Sequence, residues 1–97
     1  MATFTLRRRA VQDLEEIWSY TFDVWSESQA DKYYKLLLHA CSELAKNPKS
    51  GKSFAEIHPE LMGKKSSKHL IFYIIQENQT IEIVRILHES MDLTGKL

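Results

Sequence analysis

The chain has one cysteine, two prolines and three glycines among its 97 residues. A single cysteine excludes an intramolecular disulfide and fits a reducing compartment. Nor can it build a zinc cage, and His39, His58, His69 and His88 show no HxxxH-like pairing, so no metal and no other cofactor is expected. Gly51, Gly63 and Gly95 lie too far apart to form a phosphate-cradling loop, and no GxSxG or Cys/His signature occurs. No apolar run approaches the roughly 20 residues that span a bilayer. The opening MATFTLRRRA lacks the apolar stretch of a signal peptide. These absences point to a small cytoplasmic protein with no membrane association.

Net charge is absent too, formally zero at pH 7, yet its parts are segregated. Residues 1–9 carry three arginines and no acid, and residues 10–31 carry six acids and no base. Residues 32–68 carry eight lysines against Glu43, Glu56 and Glu60. An acidic first helix beside a basic middle fits a molecule that offers different faces to different partners, although charge alone is equally compatible with two solvated faces. The 43% hydrophobic content suits one soluble domain over residues 1–97, without repeats or low-complexity stretches.

What the chain does have is concentrated between Lys68 and Asp92. His69–Ile75 and Thr80–Leu87 are rich in Ile, Phe, Tyr and Val, and four polar residues, Gln76 to Gln79, separate them. This predicts an antiparallel hairpin at the centre of a sheet. Strict alternation places Ile81, Ile83, Arg85 and Leu87 on one face, and Glu82, Val84, Ile86 and His88 on the other. Upstream, Thr3–Arg7 alternates as a short strand. From Ala10 the period lengthens: Val11, Leu14, Ile17, Trp18, Val24 and Trp25 recur at helical steps, predicting a helix over 10–25. Trp18 and Trp25 fall on nearly one face and are expected in the core, Trp25 the more exposed of the two.

Ser26 and Gln29 have capping-box spacing, so a second helix starts there and ends before Asn47-Pro48. Cys41 lies in its apolar stripe and is expected to be a buried, inert thiol. The two helices must form an antiparallel hairpin that covers the sheet. Residues 47–60 read as a surface connection, Leu61-Met62 as the start of a strand and Gly63-Lys64-Lys65 as the lead into the central hairpin. After Leu87 a short turn or helix is expected. The class is therefore α+β, in the order β-α-α-β-β-β.

If the last three strands pair in this way, Lys64, Lys65, Lys68, His69 and Arg85 lie near one another, with Tyr73 and His88 able to join them. Such a cluster suits phosphate binding or a metal-free ribonuclease. It equally suits solvated lysines that protect a sheet edge, with a histidine that is simply hydrogen-bonded.

The string HLIFYII…IEIVRILHESMD resembles the ParE branch of the RelE/ParE superfamily of bacterial toxins. The matching positions are His69, Phe72 and Tyr73, then Arg85, Ile86, Leu87, His88, Met91 and Asp92. Ala10, Asp13, Leu14, Ile17 and Tyr20 fit its first helix. Gln29-Ala30, Tyr33, Leu44, Pro48 and Gly51 follow at similar places, so the resemblance spans essentially the whole chain. It implies a RelE/ParE-like fold and the toxin of a type II toxin–antitoxin module. Such a toxin would be non-enzymatic, would inhibit DNA gyrase, and would be neutralised by a ParD-like antitoxin through which alone it meets DNA. Target contacts would then fall on Arg85, His88, Met91 and Asp92, and antitoxin contacts on Trp25, Tyr34 and Leu38. RelE-type relatives instead cut messenger RNA on the ribosome, which would assign Lys64, Lys65, Lys68, Arg85 and His88 to a nuclease site. Ile74 and Lys64-Lys65 depart from the usual ParE pattern, so a non-toxic, antitoxin-binding homologue is the third alternative.

Overall fold

Local signals set the element boundaries. The computed structural model describes residues 2–77 and 80–90. In it β1 (Thr3–Leu6) leads into α1 (Arg8–Val24) and α2 (Glu27–Lys46). A 3-10 turn at Pro48–Ser50 precedes β2 (Lys52–Ser53), β3 (Leu61–Ser66), β4 (His69–Ile75) and β5 (Thr80–His88). Ser26 caps α2, its Oγ accepting from the Gln29 amide at 3.1 Å. At the other end Pro48 forbids continuation, and Lys46 sits in the last turn, where a cation suits the helix dipole.

The sheet runs β1-β5-β4-β3-β2, with β1 parallel to β5 and every other pair antiparallel. The β4–β5 hairpin is central, as its two-sided apolar character requires. One core lies between the sheet and the helices, built from Leu14, Leu37, Cys41, Ile71, Tyr73, Ile81, Ile83 and Ile86 among others. Cys41 is fully buried there, and burial pushes its thiol up to about 12. A second, smaller core on the far face joins Leu61, Phe72 and Leu87, with Phe54 and Ile57 folded over them.

Two sequence expectations are corrected and one is extended. Residues 47–60 are not merely a connection, because Lys52 and Ser53 pair with Gly63 and Met62 as β2. Gly63-Lys64-Lys65 leads into the central hairpin as part of β3 itself, which runs from Leu61 to Ser66. Gly63 permits this packing, since a Cβ there would come within 2.6 Å of the Phe54 ring. Strict alternation along β5 also fails. Phe72 pairs with Arg85 and Tyr73 with Ile83, so Val84 is an extra residue, a β-bulge. Beyond it the faces exchange: Ile86 joins Ile81 and Ile83 under the helices, while Val84 and Leu87 pack on the far side. The expected C-terminal turn or helix extends over Met91 and Asp92, which lie outside the described residues.

Candidate functional site

The bulge governs what Arg85 can do. β1 stops at Leu6, opposite Ile83, so farther along β5 the neighbouring element is α1 rather than a strand. Asp13 of α1 fills that place. It takes Arg85 Nε at 2.7 Å and Nη2 at 3.0 Å, and accepts the Ile86 amide at 3.0 Å. Arg85 and Asp13 side chains are only 12% and 5% exposed. Hydrogen bonding to Asp13 raises the guanidinium above its already high ordinary value. In the sequence Asp13 is one of the six acids of residues 10–31 and a position of the first-helix pattern. Its position in the stripe Ala10, Asp13, Leu14, Ile17 was the signal that it points inward.

The basic residues expected at this end of the sheet converge only in part: Lys65, Lys68 and His88 gather around Glu89, whereas Lys64 and Arg85 are engaged elsewhere. Lys64 Nζ donates to the Ser50 carbonyl at 3.3 Å. Lys65 pairs with Glu89 at 2.9 Å, which holds that carboxyl below the usual range. Lys68 and His88 also contribute to the field at Glu89. Tyr73 is not part of the cluster, since its hydroxyl donates to the Pro48 carbonyl at 2.5 Å inside the main core.

His69 and His88 do meet, as opposed residues of β4 and β5 with rings edge to face at 5.3 Å. His88 Nδ1 lies 2.7 Å from Ser90 Oγ. His69 Nδ1 lies 2.6 Å from the Tyr33 hydroxyl of α2. Burial first, and the neighbouring His88 second, push His69 down to about 4, so at neutral pH it is uncharged. Among the described residues no group of three or more His, Cys, Asp and Glu could hold a metal ion.

The helical hairpin offers a different surface. Contrary to expectation, Trp25 is outside the core, 73% exposed beyond the end of α1. Val11, Trp18, Phe22 and Trp25 recur along one side of α1. Phe22 is 45% exposed and stacks on Trp18 at 5.3 Å, while Trp18 Nε1 donates to Asp31 of α2. Glu15, Glu16, Asp23, Glu27 and Asp31 are all exposed on this part of the molecule. Of the other two residues expected to contact an antitoxin, Tyr34 and Leu38 are half-buried against the main core. Phe22 was not singled out in the sequence, although it lies four residues from Trp18 and three from Trp25. No helix among the described residues is long and apolar enough to cross a membrane.

Residues 4–93 match the model of the family described as the ParE toxin of the type II toxin–antitoxin system parDE. The chain is 37% identical over 94 residues to Toxin ParE1 of Mycobacterium tuberculosis, covering 97% of this chain and 96% of that protein. It is 31% identical to Toxin ParE1 of Caulobacter vibrioides, covering 100% of this chain and 99% of the relative. Its fold is similar to that of a solved chain from the chromosomal ParDE system of P. aeruginosa, with a TM-score of 0.77 at 17% identity, over 91% of this chain and 96% of the other. With a family model covering nearly its whole length and relatives above 30% identity, the chain belongs to the ParE toxin family of type II toxin–antitoxin systems.

Proposed function

We propose that the chain acts in the cytoplasm by binding rather than by catalysis, inhibiting DNA gyrase until a ParD-like antitoxin neutralises it. ParE membership supports the gyrase reading. The observation that carries binding over hydrolysis is the engagement of Arg85 by Asp13 and of Lys65 by Glu89. A ribonuclease of this kind needs cations directed at a phosphorane. Here two of the five candidates are directed at carboxylates within the molecule. His88, with Met91 and Asp92 of the following segment, then serves as a contact surface for the target, and Arg85 holds the strand that carries His88.

The antitoxin would dock on the helical hairpin. Exposed Trp25 and Phe22 lie in a stretch, residues 10–31, whose charges are all acidic, and so call for an amphipathic segment with apolar and basic residues. Trp25 supplies the anchor, and the exposed edges of Tyr34 and Leu38 continue the contact. A toxin–antitoxin complex in which all three residues stay clear of the partner would sink this assignment.

The deciding experiment places a gyrase supercoiling and cleavage assay beside a ribosome-bound mRNA cleavage assay, using purified protein. Blocked supercoiling with cleaved DNA trapped, and intact mRNA, is the expected result. Cut mRNA with unaffected gyrase would instead make Lys65, Lys68 and His88 parts of an active site. Antitoxin binding with neither effect would identify a non-toxic homologue.

A further inference from the structure

The chain leaves β5 at a corner that four separate segments hold together. Tyr33 reaches it from the middle of α2. Its hydroxyl oxygen receives the Lys68 amide at 3.2 Å and lies 2.6 Å from His69 Nδ1. Lys68 in turn accepts the Glu89 amide at 2.9 Å on its carbonyl. Lys65 fixes the Glu89 carboxylate, and the His69 ring abuts that of His88. The turn that presents Lys68 contains Ser67 at φ 55°, the left-handed region that a serine occupies only when its surroundings impose it.

These contacts share one hub. The Tyr33 oxygen accepts the Lys68 amide, so its own proton is free to be donated to His69 Nδ1, the arrangement in which a neutral His69 carries its proton on Nε2. We propose that Tyr33 is a positioning residue: through His69 and the Lys68 backbone it locks the end of β5 to α2, and so orients His88 toward the gyrase target. The functional half of this inference rests on the gyrase reading above, whereas the lock itself does not.

The arrangement has a physical reason. The hairpin's interior is secured by two apolar cores, but at its open end the apolar side chains give way to the buried polar His69 and then to exposed residues. Lys68 is exposed, and Glu89 and Ser90 are exposed. A corner exposed in this way frays on its own, because water competes for its backbone hydrogen bonds. A phenol hydroxyl carried on a ring packed against the main core provides a rigid, uncharged tether that salt does not screen.

The test is Tyr33→Phe, which keeps the ring and removes the tether. Amide hydrogen exchange at Lys68 and Glu89 is expected to speed up tenfold or more, while Ile83 and Ile71 in the sheet interior keep their wild-type rates. Nitrogen NMR of the wild-type His69 ring is expected to show an unprotonated Nδ1, and the signature should change in the variant. Gyrase inhibition should weaken by about tenfold, with the thermal midpoint nearly unchanged. Unaltered exchange at Lys68 and Glu89 would overturn the lock. So would an equal acceleration at every amide, which would mean general destabilisation. A loosened corner with undiminished inhibition would overturn the positioning role. If wild-type protein leaves gyrase untouched, the target reading fails by itself, and the exchange and NMR results still decide the lock.

Discussion

Asp13 and Arg85, 72 positions apart, form a two-point ion pair that ties the first helix to the central strand. The same carboxylate also accepts the Ile86 amide, so one acid satisfies both the cation and the backbone group beside the bulge. Burying such a pair has a desolvation cost, and its value lies mainly in what happens when one partner is lost.

Asp13→Ala should therefore destabilise the protein by about 3–5 kcal/mol, a large part of what a domain this size has. Urea unfolding of Asp13→Ala, Arg85→Met and the double variant Asp13→Leu/Arg85→Met measures this. The double variant is expected to be more stable than Asp13→Ala, retaining chiefly the penalty of about 1–3 kcal/mol for an unpaired Ile86 amide. A loss below about 1 kcal/mol in Asp13→Ala would show that water compensates the pair. In that case Arg85 would be available for a partner.

Stability should fall on acidification because of His69. Its value is about 4 in the folded chain and about 6.5 when unfolded, so between these limits the unfolded state binds more protons. The contribution is complete above pH 6.5 and is lost as pH falls toward 4. Tyr33, His88, Glu89 and Asp13 are the groups that face or act on the imidazole, and of these both Glu89 and Asp13 oppose the shift that burial and His88 impose. The full conversion of this difference is about 3 kcal/mol, and, with the solvent contact the ring retains, a loss of about 2 kcal/mol across this window is expected from thermal unfolding at a series of pH values. In His69→Gln that part of the slope should vanish, and an unchanged slope would assign it to another group.

Gly51 is required by the Tyr73 hydroxyl. A Cβ at position 51 would collide with that hydroxyl and come within 2.9 Å of the Gly63 carbonyl. Gly51→Ala should cost about 1–3 kcal/mol through overpacking. In a Tyr73→Phe background the added cost should shrink, since the oxygen that obstructs it is gone. Chemical denaturation of the four proteins in this cycle gives the coupling, and additive costs would rule out Tyr73 as the obstacle.

Trp25 offers the cleanest separation of binding from folding. Being 73% exposed, it should change stability by less than about 0.5 kcal/mol when replaced by alanine. Its loss should nevertheless weaken antitoxin binding tenfold or more, read by calorimetry with the cognate antitoxin. Unchanged affinity would place the antitoxin elsewhere on the molecule.

The sequence alone determined the elements whose signals are local. Apolar β-branched and aromatic runs defined β4 and β5, helical spacing defined α1, and Ser26 with Pro48 bracketed α2. Each depends on residues a few positions apart, so a one-dimensional reading reaches it. The string from His69 to Asp92 likewise carried the family resemblance. Tertiary structure decided everything that depends on pairing between distant segments. Val84 reads as an ordinary strand residue, yet the extra position it creates reverses the faces beyond it, which no strict alternation anticipates. Asp13 reads as one acid among the six of residues 10–31 until Arg85 is brought opposite it. Trp25 reads as core until α1 ends one residue earlier and leaves the ring without an element among the described residues to cover it. Tyr33 and His69 are 36 positions apart, and their hydrogen bond exists only because α2 lies across the sheet. Local preference is set by backbone sterics and side-chain spacing, whereas a buried polar contact is set by which two surfaces meet once the apolar faces have closed.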